Sequence, residues 1–302
     1  MKEKVLITGA NGSLAKKVKV NFESQGFEVV SLTSKEKNAD GLSTFFWDTS
    51  KGFVDENALK GVHHIIHLAG FSIIEKWTDD NKKKMYDSRI KAANLLFESC
   101  NKLGVQPKTF VTASAIGFYG LDDPITLKKE TDKPADDWMA NMCVDWEQSA
   151  QQFSALNTRV VQLRISLLLT KKAGFLAPTL LSMKLGSAVV FGSGKQPIEW
   201  IHIDDASSFI DYAVKNEVIS GPYNLGSNHK LTQYQFMKLI KKIVAPYSIL
   251  IKIPSFMLKM IFGKRSVILE GGCKMDMTKF NNSGFVPTYP TLDLAIQKEM
   301  NG

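Results

Sequence analysis

Cysteine is scarce in this chain of 302 residues: there are three, Cys100, Cys143 and Cys273, and they stand far apart. With no Cys-x-x-Cys or Cys/His pairing, no zinc site is expected. An odd, small thiol count fits a reducing compartment rather than a disulfide-stapled domain. Long apolar runs are missing too. No stretch of about 18 apolar residues occurs, so no membrane span is expected. The most apolar late segment, Ser248 to Gly263, is interrupted by Lys252, Pro254 and Lys259. Met1-Lys2-Glu3-Lys4 leads into three strongly apolar residues before Thr8-Gly9, too few for a secretory signal, so a cytoplasmic location is the expectation. Repeats and low-complexity tracts are absent. The formal net charge is +8, but the lysines are scattered apart from Lys82-Lys83-Lys84. No basic stripe is interleaved with aromatics, so nucleic acid is not an expected partner. A solvated lysine-rich surface accounts for the excess, part of which an anionic cofactor or substrate would use. His63, His64 and His67 share one short strand-like segment whose alternate side chains face opposite ways, so no metal site is expected there.

What is present is alternation. Hydrophobic residues make up 44% of the chain, enough for a large core in one or two domains. Strands are predicted at 5–8, 28–33, 44–47, 62–68, 109–113 and 159–164. Helices are predicted at 13–25, 79–103 and 137–156. Such βαβ alternation, with a continuous apolar run at Val62 to Leu68, implies an α/β fold with a doubly wound parallel sheet of Rossmann type. After about Thr170 the pattern loosens. Short strands at 189–191 and 198–203 precede a helix at 204–215 and a returning strand at 223–225. Thr232 to Gly302 is mostly helical, with Pro246, Pro254, Pro287 and Pro290 as breakers. The expected organisation is an NADP-binding Rossmann domain at 1–170, with a returning segment at about 204–227. A smaller substrate-side lobe takes up 171–203 and 228–302.

The chain's opening carries the most chemistry. Val5-Leu6-Ile7-Thr8 stops at Gly9-Ala10-Asn11-Gly12, and an amphipathic pattern begins at Ser13-Leu14-Ala15. A strand feeding a helix through a glycine turn offers backbone N–H groups and a helix dipole to a pyrophosphate. Gly9 makes the turn, Gly12 admits a phosphate, and Ala15 is small enough for helix–strand packing. Thr8, Gly9, Asn11, Gly12, Ser13 and Leu14 are therefore read as cofactor-binding. An NAD site of this kind expects an acid at the end of the second strand. That place reads Thr33-Ser34-Lys35, with hydroxyls and a lysine that suit a 2′-phosphate, so NADP(H) is favoured over NAD(H).

Several further segments carry a family resemblance. They are His67-Leu68-Ala69-Gly70-Phe71-Ser72-Ile73, Lys76-Trp77-Thr78, Asp87-Ser88-Arg89-Ile90-Lys91-Ala92 and Ala113-Ser114-Ala115-Ile116-Gly117-Phe118-Tyr119-Gly120. Trp146-Glu147-x-x-Ala150, Trp200-Ile201-His202-Ile203-Asp204-Asp205 and Gly221-Pro222-Tyr223-Asn224-Leu225 complete them. With the glycine turn, they make the chain similar to the extended short-chain dehydrogenase/reductase superfamily. The likeness is to its atypical NAD(P)-dependent epimerase/dehydratase members of the YfcH-like branch. Residues from about Pro254 to Ile296 resemble the small domain of unknown function found there.

The resemblance implies that Ser114 orients a substrate oxygen and that Leu68, Ala69 and Gly70 border the cofactor. The superfamily's Tyr-x-x-x-Lys pair should begin about 25 residues after Ser114, where this chain has Met139 and Cys143. Methionine carries no titratable proton, and a thiol supplies no fixed positive charge. Tyr119 is then a candidate substitute donor, or an aromatic lining the pocket. Arg89 is expected near the site backbone, cofactor or an anionic substrate, or in a helix-surface ion pair. Cys143 takes the lysine's place beside the cofactor, as a free nucleophile or as an inert buried thiol. Arg164 would contact cofactor or substrate. Asp48 would touch the adenine edge or form a turn. Two functions stand: an epimerase, dehydratase or reductase acting on a small molecule such as a nucleotide sugar, or a cofactor-sensing or interaction protein without efficient turnover. Superfamily relatives often pair through helices placed here at 79–103 and 137–156, which makes a homodimer an expectation.

Overall fold

The computed structural model describes residues 2–301. They cluster into two compact units, one of Met1–Ser114, Asn141–Arg164 and Ser207–Tyr223, the other of Ala115–Ala140, Ile165–Ala206 and Asn224–Gly302.

The main sheet has eight strands in the order Gly221–Leu225, Arg159–Ile165, Thr109–Ala115, His64–His67, Lys4–Thr8, Glu28–Thr33, Thr44–Asp48 and Phe53–Val54. Lys4–Thr8 pairs in parallel with Glu28–Thr33 on one side and with His64–His67 on the other. The chain thus winds outward in both directions from its first strand. That reversal is the place where open α/β sheets bind ligands, beyond the carboxyl ends of the strands. The central strands are buried at successive positions: all four residues of His64–His67 are buried, the two histidines included. Phe110 and Phe153 stack with centroids 3.9 Å apart, and Phe97 meets Phe153 edge-on at 5.6 Å. Arg159 closes the same unit from below. Its guanidinium donates to the carbonyls of Ala213, Val214 and Ile219 and to the Thr109 hydroxyl, satisfying acceptors left at the end of the helix Ile203–Lys215.

The second unit has its own core, in which Trp200, Phe236, Ile240, Leu292 and Ile296 are all fully buried. Around it, Ser187–Phe191 pairs in parallel with Ile249–Ile253, so the stretch read as mostly helical also carries a strand. The helix Gln233–Val244 opens on a capping box made by Thr232 and Gln235. His202 accepts from the Asp204 N–H at Nδ1, which leaves Nε2–H to donate to Glu299 at 3.0 Å. Asp205 accepts the N–H groups of Thr288 and Tyr289 at 2.7 and 3.0 Å.

The expected elements recur with similar boundaries except for three of them, and Ile249–Ile253 and the helix Leu176–Lys184 are additional. The continuous helix expected at 79–103 is two helices, Asp79–Asp87 and Ile90–Leu103. The helix expected at 137–156 is α-helical over Trp138–Gln151 and tightens to a 3₁₀ turn over Gln152–Leu156. The strand expected at 198–203 divides into Pro197–Ile198 and Trp200–His202, whose partners are different strands.

Replacing Arg159 by Met leaves those carbonyls without donors. Arg159→Met should lower stability by about 2–4 kcal/mol, read as a lower urea midpoint with an unchanged denaturant slope.

Candidate cofactor site

The glycine turn is built by sterics before any ligand is considered. Gly9 has φ +73°, and a Cβ there would stand 2.8 Å from the Leu68 carbonyl oxygen and 2.9 Å from its carbon. Only glycine lets the turn lie this close to the chain leaving His64–His67. The Gly12 N–H donates back to the Gly9 carbonyl at 2.8 Å, and the helix Ser13–Ser24 begins. Gly12 has no side chain to cap this helix, and its first turn contains no acid. The first-turn N–H groups and the positive end of the dipole therefore face out past a glycine. Asn11 and Gly12 are exposed, Ser13 and Leu14 half-buried, and Ala15 fully packed. This arrangement fits a pyrophosphate.

Beneath the turn runs a chain of hydrogen bonds with only one proton assignment. The Arg89 carbonyl can only accept, so His67 must donate to it from Nε2, at 3.1 Å. Burial pulls the His67 pKa down to about 4, so the ring is neutral and Nδ1 is an acceptor. The Thr8 hydroxyl donates to Nδ1 at 2.9 Å, and its oxygen accepts the N–H groups of Leu68 and Ala69, each at 3.0 Å. Every valence of Thr8 Oγ1 is thereby used. Thr8, Leu68 and Ala69, read as cofactor-binding from sequence, are brought together by a histidine that the sequence reading considered only as a metal ligand.

The helix break at Ser88–Arg89 belongs to the same corner. Ser88 Oγ donates to the Met85 carbonyl and accepts the Phe71 N–H at 2.8 Å. Arg89 Nη1 donates to the carbonyls of Phe71 and Met85, and its guanidinium packs against Gly70. These bonds draw the chain after Gly70 onto the helix end, at the expense of helical continuity. Arg89 Cζ lies 4.9 Å from the Trp146 ring centroid. Burial lowers the Arg89 pKa to about 10, leaving it charged at neutral pH, and its Nε is among the buried atoms without a hydrogen-bond partner. Arg89 thus approaches the site backbone, one of the roles expected of it. Cys143 is buried and within electrostatic reach of Arg89.

Ser114 and Arg164 meet on Glu147. Arg164 forks onto the carboxylate, Nε to Oε1 and Nη2 to Oε2, each at 2.8 Å, and Ser114 Oγ donates to Oε1 at 2.7 Å. Ser114's one proton is therefore held by a carboxylate, so in this arrangement it meets an incoming group as an acceptor. In the second unit, Tyr119 is buried and its hydroxyl donates to Asn224 Oδ1 at 2.6 Å. Asn224 also donates to the carbonyls of Lys128 and Asp276. At the end of Glu28–Thr33, Thr33 is buried while Ser34 and Lys35 are exposed. Asp48 closes a turn by accepting from Ser50 and Lys51, and those bonds lower its pKa. Burial pushes the Cys100 and Cys273 thiols up to about 12. Among the described residues no group of three metal-ligating side chains occurs.

The chain matches the NAD dependent epimerase/dehydratase family over residues 5–226. It is 30% identical over 297 residues to the epimerase family protein YfhF of Bacillus subtilis (strain 168), covering 97% of each chain. In fold it is similar to the human epimerase family protein SDR39U1 (isoform 2), solved with NADPH, at a TM-score of 0.87 and 23% identity over 99% of both chains. It is also similar to the UDP-glucuronic acid 4-epimerase of Bacillus cereus, solved with NAD, at a TM-score of 0.75 and 18% identity, covering 99% and 97%.

Between pH 6.5 and about 4 the unfolded chain protonates His67 and the folded chain does not. Stability is therefore lost as the pH falls through that window, at up to about 1.4 kcal/mol per pH unit. His67→Gln, which keeps one donor and one acceptor, should flatten this slope in urea titrations between those two pH values.

Proposed function

The chain belongs to the NAD-dependent epimerase/dehydratase family, and from that premise we propose that it holds NADP(H) in preference to NAD(H). We propose further that it acts on an alcohol or carbonyl carbon of a nucleotide-sugar-type substrate. The observation that carries the reading is the helix Ser13–Ser24, whose first turn has neither a capping side chain nor an acid and opens behind Gly9 and Gly12. The turn fits a dinucleotide: a Cβ at Gly9 would strike the Leu68 backbone and push the turn off its floor, and the donors it offers are the backbone N–H groups of the first helical turn. The nicotinamide ring, when bound, would supply the acceptor or donor for a hydride. Lys35 and the hydroxyl of Ser34 stand exposed after the second strand, whose end at Thr33 carries no carboxylate, the first acid being Glu36 beyond Lys35; the hydroxyl and the lysine favour the 2′-phosphate.

Within this reading Thr8, Leu68 and Ala69 hold the edge of the cradle, and Arg89 braces Gly70 and Phe71. Ser114, fixed by Glu147 and Arg164, offers its oxygen to a substrate hydroxyl. Tyr119 would have to release Asn224 before serving as a donor. A second reading has its own support. Met139 and Cys143 occupy the positions of the usual proton-handling pair, both buried, and the protons of Ser114 and Tyr119 have internal acceptors. A cofactor-binding protein without efficient turnover would have such features.

Titration with NADPH and NADH separates the cofactor alternatives. NADPH should bind about tenfold tighter or more, and Lys35→Glu should erase the difference by setting a like charge against the 2′-phosphate. Equal affinities in the native protein would remove the preference. A screen of nucleotide sugars, followed by nicotinamide absorbance, tests turnover. If they touch the substrate, Ser114→Ala and Tyr119→Phe should each reduce the rate by roughly a hundredfold with cofactor affinity kept. No turnover alongside tight cofactor binding would favour the second reading.

A further inference from the structure

The distribution of carboxylates along the chain is more informative than that of the lysines. From Val218 to Leu269 there is no aspartate or glutamate, while Lys230, Lys238, Lys241, Lys242, Lys252, Lys259, Lys264 and Arg265 all fall there. Those eight cations equal the whole formal net charge of +8. Outside this stretch, positive and negative charges balance. Several lysines elsewhere pair with nearby acids, as in Lys83 with Asp87 or Lys84 with Asp80.

The same stretch carries an unusual concentration of exposed apolar side chains. Of the 21 large hydrophobic residues exposed among those described, seven lie within 247–261. On the strand these include Ile249 and Ile251. On the helix Ser255–Phe262 they are Phe256, Met257, Met260 and Ile261, with Phe256 69% and Met260 75% exposed. At about 100° per residue these four positions span an arc of about 140°. Leu258, the buried residue of this helix, points the other way. The helix is held by one apolar contact line and turns a second, wider one outward. Lys259 borders that arc, and Lys264 and Arg265 follow at the helix end. Arg265 donates to the Phe262 carbonyl and lies over the Phe262 ring. Lys252, just before the helix, lies 5.6 Å from the Tyr234 ring centroid.

We propose that the helix Ser255–Phe262, together with the carboxylate-free stretch around it, is a docking surface for an anionic lipid bilayer. An apolar arc of Phe, Met and Ile bordered by lysines lies favourably in the headgroup region. The aromatic and aliphatic side chains enter the acyl boundary while the cations meet lipid phosphates. The charge decides between occupants. A second copy of this chain would bring Lys252, Lys259 and Lys264 against the same lysines here, whereas an anionic surface neutralises them. The attachment is peripheral, since no helix among the described residues is long and apolar enough to cross a membrane.

The test is flotation of the full-length protein with two vesicle preparations. One is phosphatidylcholine alone, the other phosphatidylcholine with about a third phosphatidylglycerol. Binding to the anionic vesicles should be at least about tenfold stronger, and should weaken as salt is raised. Phe256→Ser with Met260→Ser, both exposed, should cut anionic binding about tenfold or more at unchanged melting temperature and NADPH affinity. Lys252→Gln with Lys259→Gln and Lys264→Gln should do the same through charge. Absence of binding, equal binding to both vesicles, or an anionic preference untouched by the variants would overturn the proposal. So would a lipid-free dimer, seen in sedimentation velocity, that the Phe256/Met260 variant dissociates.

Discussion

A neutral imidazole in a fixed orientation holds the cradle in place. His67 joins the end of the first strand, through Thr8, to the break between two helices, through the Arg89 carbonyl. Thr8 in turn holds Leu68 and Ala69, and it is against Leu68 that Gly9 makes its close approach. If the ring charged, the Thr8 hydroxyl would lose its acceptor and Nδ1–H would compete with the Leu68 and Ala69 amides for the two lone pairs of Thr8 Oγ1, so the floor under the glycine turn would shift. The geometry of the proposed phosphate cradle therefore depends on a residue that would never touch phosphate. The bonds have one consistent proton assignment, and burial enforces it.

Much of this was legible in sequence. The glycine turn, the strands around it and the order of α/β alternation follow from residue types with strong local preferences: Gly at a positive φ, β-branched runs in strands, small Ala15 at a packing contact. What was illegible depended on partners distant in sequence. Nothing in Asp87-Ser88-Arg89-Ile90 announces a helix break, because the competing acceptors and donors are at Phe71 and Gly70. Ser114 looked like a donor because of its place after a strand. The direction of its hydroxyl is set by Glu147, itself fixed by Arg164. Tyr119 lost its freedom to Asn224, 105 residues away. The Lys35 environment remained readable, since its side chain stands in solvent and nothing distant redefines it.

The two units contrast in how they treat polarity. The first buries hydroxyls, an imidazole and a guanidinium in hydrogen-bonded networks around the proposed cradle, with Arg89 Nε left over. Such networks cost little when complete and specify one arrangement of the backbone. The second buries its acids against two partners each: Glu299 on His202 and the Lys171 amide, Asp205 on two amides, Glu199 on Lys230 at 2.8 Å and the Met275 amide. Burial raises the pKa of Glu199, so that ion pair sits where desolvation opposes it. Along one stretch, from Val218 to Leu269, the chain supplies cations and no acid.

The contact between His202 and Glu299 also orders events during synthesis. The first unit takes its last piece from Ser207–Tyr223, so a nascent chain can close that core while the remainder is still being made. The second unit has no such opportunity. Trp200 emerges early, but Leu292, Ile296 and Glu299, which complete its surroundings, follow some ninety residues later. Until then Trp200 and Phe236 have no lid, and the apolar helix at 255–262 is not the only greasy surface on the ribosome-bound chain. A slow or stalled ribosome between residues 240 and 290 would thus expose this protein to holdase chaperones at its most adhesive stage.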